Sequence, residues 1–236
     1  MSDIIKKIRV ELNAMADEKT KAGFQRFFKE GIKCYGVRMW SVDKLAKEHW
    51  LEVKKLKKKE VFALCEILFS SGYCEEAFVV NNWIPNLAEQ FALKDIAVFK
   101  KWIDKYIDNW AKCDGFCNHS VGEFIEKYPI AVKELKKWAK SKNRWLRRAA
   151  AVSLIIPAKK GMFLKDIFAI ADILLEDNDD MVQKGYGWML KEASRKYHQK
   201  EVFEYVVKNK KRMPRTALRY AIELMPKNLK AAAMRK

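Results

Sequence analysis

Trp188 stands on the polar side of its own helix. The stretch from Asp179 to Arg195 reads as amphipathic, with Val182, Tyr186, Met189 and Ala193 at helical spacing. At about 100° per residue, Trp188 points away from that stripe and falls among Lys184, Lys191 and Arg195. A large ring among three cations is either a second packing face or a surface for a polyanion that carries a flat moiety. Two more residues stand as a pair. Trp110 closes a segment from Val98 in which Phe99, Trp102, Ile103 and Tyr106 share one broad face, and Asp114 follows four residues later. If the helix continues that far, ring and carboxylate lie on the same side. A carboxylate beside an apolar face is costly unless partnered. Asp114, with Gly115 next to it, is therefore either a helix-end residue or a group kept for chemistry. Arg148 flanks the apolar face of Trp145, Ala149, Val152 and Ile156, while Arg147 points outward. An arginine at such an edge pairs with a buried carboxylate or grips phosphate.

Other chemistries find little support. Cys113, Cys117 and His119 lie close together, but no second ligand pair has zinc-site spacing, and a free cysteine commonly acts as a small buried hydrophobe. No metal and no cofactor are expected. There is no Ser-His-Asp order, no glycine-rich phosphate loop and no zinc-protease motif.

The chain carries 48 Lys and Arg against 30 Asp and Glu, a net charge of +18 over 236 residues. Such a field concentrates polyanions and speeds their encounter. Nucleic acid is the first candidate, an anionic membrane surface the second, an acidic protein the third. The excess is uneven. Eleven cations between Ala131 and Lys165 face Glu134 alone, and from Tyr205 onward Glu223 is the only acid. The start Met1–Ser2–Asp3 lacks the pattern of a signal peptide. The longest apolar run, Ala149 to Ala158, is too short to span a bilayer and contains Ser153. Five irregularly spaced cysteines fit a reducing compartment, so a cytoplasmic protein is expected.

Helices must position these residues. With 9 Gly and 5 Pro, breakers are sparse, and no window alternates in the strand manner. Helical periodicity predicts segments over Ile4–Ala16, Lys19–Glu30, Ser41–Glu48, Glu60–Ser70, Glu75–Phe91, Asp95–Trp110, Val121–Lys127, Ala131–Lys140, Arg144–Ile155, Leu164–Leu175, Asp179–Lys196, Lys200–Lys208 and Pro214–Glu223. Pro129 suits a helix entry, Ser41 and Asp95 suit N-caps, and Asn178–Asp179–Asp180 place acid at a helix start. Short connections and pairwise arrival suggest an all-α chain of HEAT-like or armadillo-type repeats. No low-complexity linker interrupts it, so a single domain over residues 1–236 is expected. A basic concave solenoid surface suits a rod-like polyanion.

Three segments carry a specific resemblance: Asn109–Trp110–Ala–Lys–Cys–Asp114, Trp145–Leu–Arg–Arg148–Ala–Ala, and Val182–Gln–Lys–Gly–Tyr–Gly–Trp188–Met–Leu–Lys–Glu192. In order along the chain, they resemble the active-site segments of the AlkD-type alkylpurine DNA glycosylases. Tyr35–Gly36–Val37–Arg38 resembles the N-terminal signature of that family, and Met213–Pro–Arg215 through Glu223 its last helix. The resemblance implies HEAT-like repeats curved around duplex DNA and hydrolysis of the N-glycosidic bond of cationic N3- or N7-alkylated purines. It implies Asp114 as the catalytic carboxylate, Trp110 and Trp188 as aromatic walls, and Arg148 as a contact to the backbone near the lesion. It also implies a double-stranded DNA partner carrying alkylated purines, bound by a monomer. Lys184, Lys191, Arg38, Arg147 and Arg215 are the further DNA-binding candidates. The family signature usually continues to a proline, where this chain has Met39 and Trp40. The rival readings are a catalytically silent helical-repeat protein that binds branched or damaged DNA, and a protein-binding solenoid.

Overall fold

Sparse Gly and Pro, with apolar residues three and four apart, leave the chain little alternative to helix. The computed structural model describes residues 2–28 and 31–235, and its regular elements are helical. Among the described residues there is no strand, and no helix is long and apolar enough to cross a membrane. The expected all-α fold is what the chain adopts. It packs as two compact units, Met1–Phe116 and Cys117–Lys236.

The first unit contains α1 (Ser2–Ala14), α2 (Glu18–Phe27), α3 (Met39–Val53), α4 (Lys58–Ser70), α5 (Cys74–Trp83), α6 (Asp95–Tyr106) and α7 (Trp110–Phe116), with a 3-10 turn, Ile84–Gln90, after α5. The predicted end of α2 at Glu30 lies outside the described residues. Helix α5 is the centre: α3, α4 and α7 pack on it. Its first turn buries two carboxylates, Glu75 and Glu76. Buried charge needs partners. Glu75 accepts the backbone N–H groups of Tyr35, Gly36 and Val37 at 3.1, 2.8 and 3.1 Å. Glu76 accepts the Tyr35 hydroxyl at 2.7 Å and the Arg9 guanidinium at 3.0 Å. These bonds hold the extended segment before α3 against α5. Gly36 sits at φ +93° there, and a Cβ would come within 2.6 Å of the Asp17 carbonyl oxygen. The chain therefore enters α3 at Met39 with Arg38 as the N-cap, and Ser41, predicted to cap, lies inside the helix. Asp95 is likewise the first residue of α6 rather than its cap; its carboxylate accepts the Ala92 N–H at 2.8 Å and pairs with Lys58 at 2.6 Å.

The second unit opens with a π turn, Cys117–Val121, and holds α8 (Gly122–Lys127), α9 (Val132–Trp138), α10 (Arg144–Val152), α11 (Ile155–Lys159), α12 (Leu164–Leu174), α13 (Asp180–Ser194), α14 (Gln199–Asn209), α15 (Arg215–Ala221) and α16 (Lys227–Met234). A 3-10 turn at Pro129–Ala131 precedes α9, with Pro129 at its start as predicted. Here α13 is the centre, packed by α10, α11, α12, α14 and α15. Asp179 caps it, accepting the N–H groups of Met181 and Val182 at 2.9 and 3.2 Å. Helix α16 lies beyond the last helix the sequence pattern predicts.

Candidate active site

The Trp110–Asp114 pair is built by a helix start. The sequence pattern runs one helix through residue 110; the structure ends α6 at Tyr106 and begins α7 at Trp110. The break has a local cause. The buried side chain of Asn109 accepts the Lys112 N–H at 3.0 Å through its carbonyl and donates its amide to Cys74 Sγ at 3.3 Å. Burial, above all, pushes the Cys74 thiol up to about 12, so it stays protonated. The buried Lys112 then ties α7 down, donating to the Gly72 carbonyl at 2.7 Å and to Asp108 at 2.9 Å. Trp110 and Asp114 consequently share α7 at i, i+4 spacing, both half-buried.

Asp114 is not a helix-end residue. It is the fifth residue of α7, and helical structure continues through Gly115 and Phe116 into the π turn. Gly115 is explained by packing instead: a Cβ there would lie 2.3 Å from Asn81 Nδ2 on α5.

Trp110 also has neighbours that the sequence reading missed. Its ring stacks on Phe28 at 5.2 Å with 15° between planes, and meets Phe27 edge-on at 5.6 Å. Phe28 is buried, whereas Phe27 is 69% exposed. The three rings form an aromatic ledge that ends in solvent at Phe27. The consecutive Phe27–Phe28 at the end of a basic, polar α2 was the signal available in the sequence.

In the second unit, Arg148 is buried on α10 and directed at α13, where Nη1 donates to the Met181 carbonyl. Gly185 makes room for it: a Cβ there would stand 3.3 Å from Arg148 Cγ. Arg148 is thus brought against the helix that carries Trp188. Arg147 does not point outward. Its Nε donates to Asp177 at 2.6 Å and Nη1 to the carbonyls of Ser141 and Lys142 at 3.1 and 3.0 Å. It clamps the turn before α10.

Trp188 is half-buried, and its indole N–H donates to Glu192 Oε1 at 3.1 Å. Glu192 is itself 2% exposed and takes two bonds from Arg195, at 2.6 and 3.0 Å. Burial pushes the Glu192 carboxyl up. The bonds from Arg195, the charge of Lys159 and the bond from Trp188 outweigh this and hold it below the usual carboxylate range. The two lysines beside Trp188 also meet carboxylates: Lys184 pairs with Asp180 at 3.0 Å and Lys191 with Glu223 at 3.1 Å. The tryptophan among cations is therefore a tryptophan among ion pairs. Arg38, the N-cap of α3, and Arg215, the first residue of α15, are exposed on their own units. Among the described residues no group of three or more His, Cys, Asp or Glu is placed to hold a metal ion, and the five cysteines are buried and form no disulfide.

Fold and side chains together define an all-α helical-repeat protein, strongly basic, with tryptophans and a carboxylate in semi-exposed helical positions. The chain belongs to the DNA alkylation repair enzyme family, whose model matches residues 8–225. A solved structure, that of a predicted DNA alkylation repair enzyme from Enterococcus faecalis, is similar with a TM-score of 0.80; 90% of this chain and 98% of that one are covered, at 17% identity. At that identity the likeness establishes a shared fold. No curated protein matches the chain.

Proposed function

We propose that this member of the family is a DNA glycosylase of the AlkD type, which hydrolyses the N-glycosidic bond of cationic N3- or N7-alkylated purines in duplex DNA. The observation that carries the reading is Asp114: a half-buried carboxylate within α7, one turn from the Trp110 ring. An alkylated purine is already a positively charged leaving group, so the reaction needs little acid at the base. What it needs is negative charge opposite the oxocarbenium-like sugar and an oriented water. Asp114 supplies both in this reading. Trp110 and Trp188 present ring faces to a cationic base, each contributing about 0.5–2 kcal/mol. Phe27 extends the wall formed by Trp110. Arg148 acts on the backbone phosphate next to the lesion, and Lys184, Lys191, Arg38 and Arg215 add sequence-independent contacts. The chemistry does not require a flipped base, unlike most glycosylases. The test is incubation with duplex DNA carrying N7-methylguanine, with released free base measured against time. Release of the base supports the glycosylase. Tight binding without release would leave the silent DNA-binding protein as the better description.

A further inference from the structure

We infer that Glu192 is a positioning residue that fixes the Trp188 indole for contact with a cationic base; this rests on the glycosylase reading of Trp188. A carboxylate buried this deeply, in the central helix of its unit, is expensive unless its oxygens are satisfied. An apolar side chain at position 192 would fill the same space on α13 without that cost. Glu192 is nonetheless charged, and its oxygens are shared between two residues of the same helix. Oε1 accepts the Trp188 indole N–H from one turn earlier at 3.1 Å, and Arg195 donates to both oxygens from one turn later.

The consequence falls on Trp188. A half-buried indole on a helix surface can change rotamer, and its N–H would otherwise seek water. The bond to Glu192 selects one orientation of the ring plane. A hydrogen bond to a charged acceptor is also stronger than a neutral one, and it draws electron density toward the ring. Both effects favour a positive charge over the ring face, whose attraction for a cation is electrostatic. Arg195, half-exposed, holds the carboxylate from the solvent side. The unit is a three-residue relay on one helix, Arg195 to Glu192 to Trp188, with the aromatic ring as its working end.

The test uses the full chain and two readouts. The first is the indole N–H resonance of Trp188 in 15N-labelled protein, assigned by its loss in Trp188→Phe, which needs no activity. Glu192→Gln, which keeps the shape, and Glu192→Ala should both shift that resonance and speed its exchange with water, Ala more than Gln. The second is single-turnover release of N7-methylguanine from duplex DNA. Glu192→Gln should slow release roughly tenfold, the size of one weakened cation–π contact, with binding to undamaged duplex unchanged. In a Trp188→Phe background, Glu192→Gln should cause no further loss. An unchanged Trp188 resonance in both variants would overturn the inference. So would a loss of release that is equally large when residue 188 is Phe. If the unmodified protein releases no methylpurine while the resonance still moves, the glycosylase reading fails and the indole clamp stands without it.

Discussion

In the proposed glycosylase reaction Asp114 is the residue on which the chemistry turns, and Asp114→Asn isolates it. The substitution keeps the shape and removes the charge. A carboxylate that opposes an oxocarbenium ion contributes on the order of 3 kcal/mol, roughly a hundredfold in rate or more. Excision by Asp114→Asn should therefore fall at least that far while duplex binding holds or improves, as measured by single-turnover release and by titration of undamaged DNA. Because Asp114 lies inside α7, a loss of fold through a lost cap is not an alternative explanation. Full excision by the variant would remove Asp114 from the mechanism. The two neighbouring arginines separate in a similar way. Arg147 is bound to Asp177 and two turn carbonyls, so Arg147→Ala should lower stability by about 2 kcal/mol, the value of a charged hydrogen-bonded pair, seen as a shifted denaturation midpoint. Arg148→Ala should cost stability as well, because its buried guanidinium donates to the Met181 carbonyl, but it should also weaken binding to lesion-bearing duplex, which Arg147→Ala should not. Equal losses of binding in the two folded variants would remove that distinction.

Elements explain why those side chains stand where they do, and glycine contacts make the explanation testable. Gly187 precedes Trp188 on α13, and a Cβ there would lie 2.7 Å from both the Ala217 carbonyl oxygen and Tyr220 Cβ of α15. Backbone cannot turn aside, so Gly187→Ala should cost about 1–3 kcal/mol by overpacking. Gly115→Ala meets only the tip of the Asn81 amide, and should cost less. Thermal melts of the two variants compare them directly, and a larger loss at Gly115 would contradict the packing argument. The same elements show what the sequence made legible. Spacing alone put Trp110 and Asp114 on one side of a helix, and this holds, although the helix is α7 and not the one that buries Trp102. The break between them depends on Asn109 and Lys112 reaching across to Cys74 and Gly72, contacts some 35–40 residues apart in sequence that no local pattern reveals. Asp179 was readable as a cap because capping is local. Ser41 does not cap, because α3 starts where Glu75, a distant residue, holds the incoming chain. Glu192 stood four residues after Trp188, within helical reach, but its burial comes from the helices that pack on α13. The π turn directly after α7 has no periodicity signature either; such turns recur at functional sites.

For the whole molecule, charge is the property the sequence stated most plainly, and its distribution sharpens the statement. Of the 48 Lys and Arg, 27 lie in residues 117–236, with 13 of the 30 acids, so the second unit carries +14 of the net +18. Many of these cations sit in exposed ion pairs, such as Lys137 with Glu134 and Lys160 with Glu126. Pairs of that kind hold only about 0–1 kcal/mol, which a DNA phosphate can match, so pairing does not remove these residues from a binding surface. Affinity for undamaged duplex should therefore fall steeply with salt, the logarithmic slope growing by about 0.9 for each phosphate neutralised. The asymmetry predicts where the slope originates. Replacing exposed Lys133, Lys140 and Lys142 by Ala should flatten it by up to about three, since they belong to the stretch with a single acid. Replacing exposed Lys54, Lys55 and Lys59, in the first unit with its remaining +4, should flatten it less. Titrations of both triple variants over a range of salt concentrations measure the two slopes. Equal flattening would mean that the first unit contributes as many phosphate contacts as the second, and salt-independent binding would rule out a phosphate-tracking surface altogether.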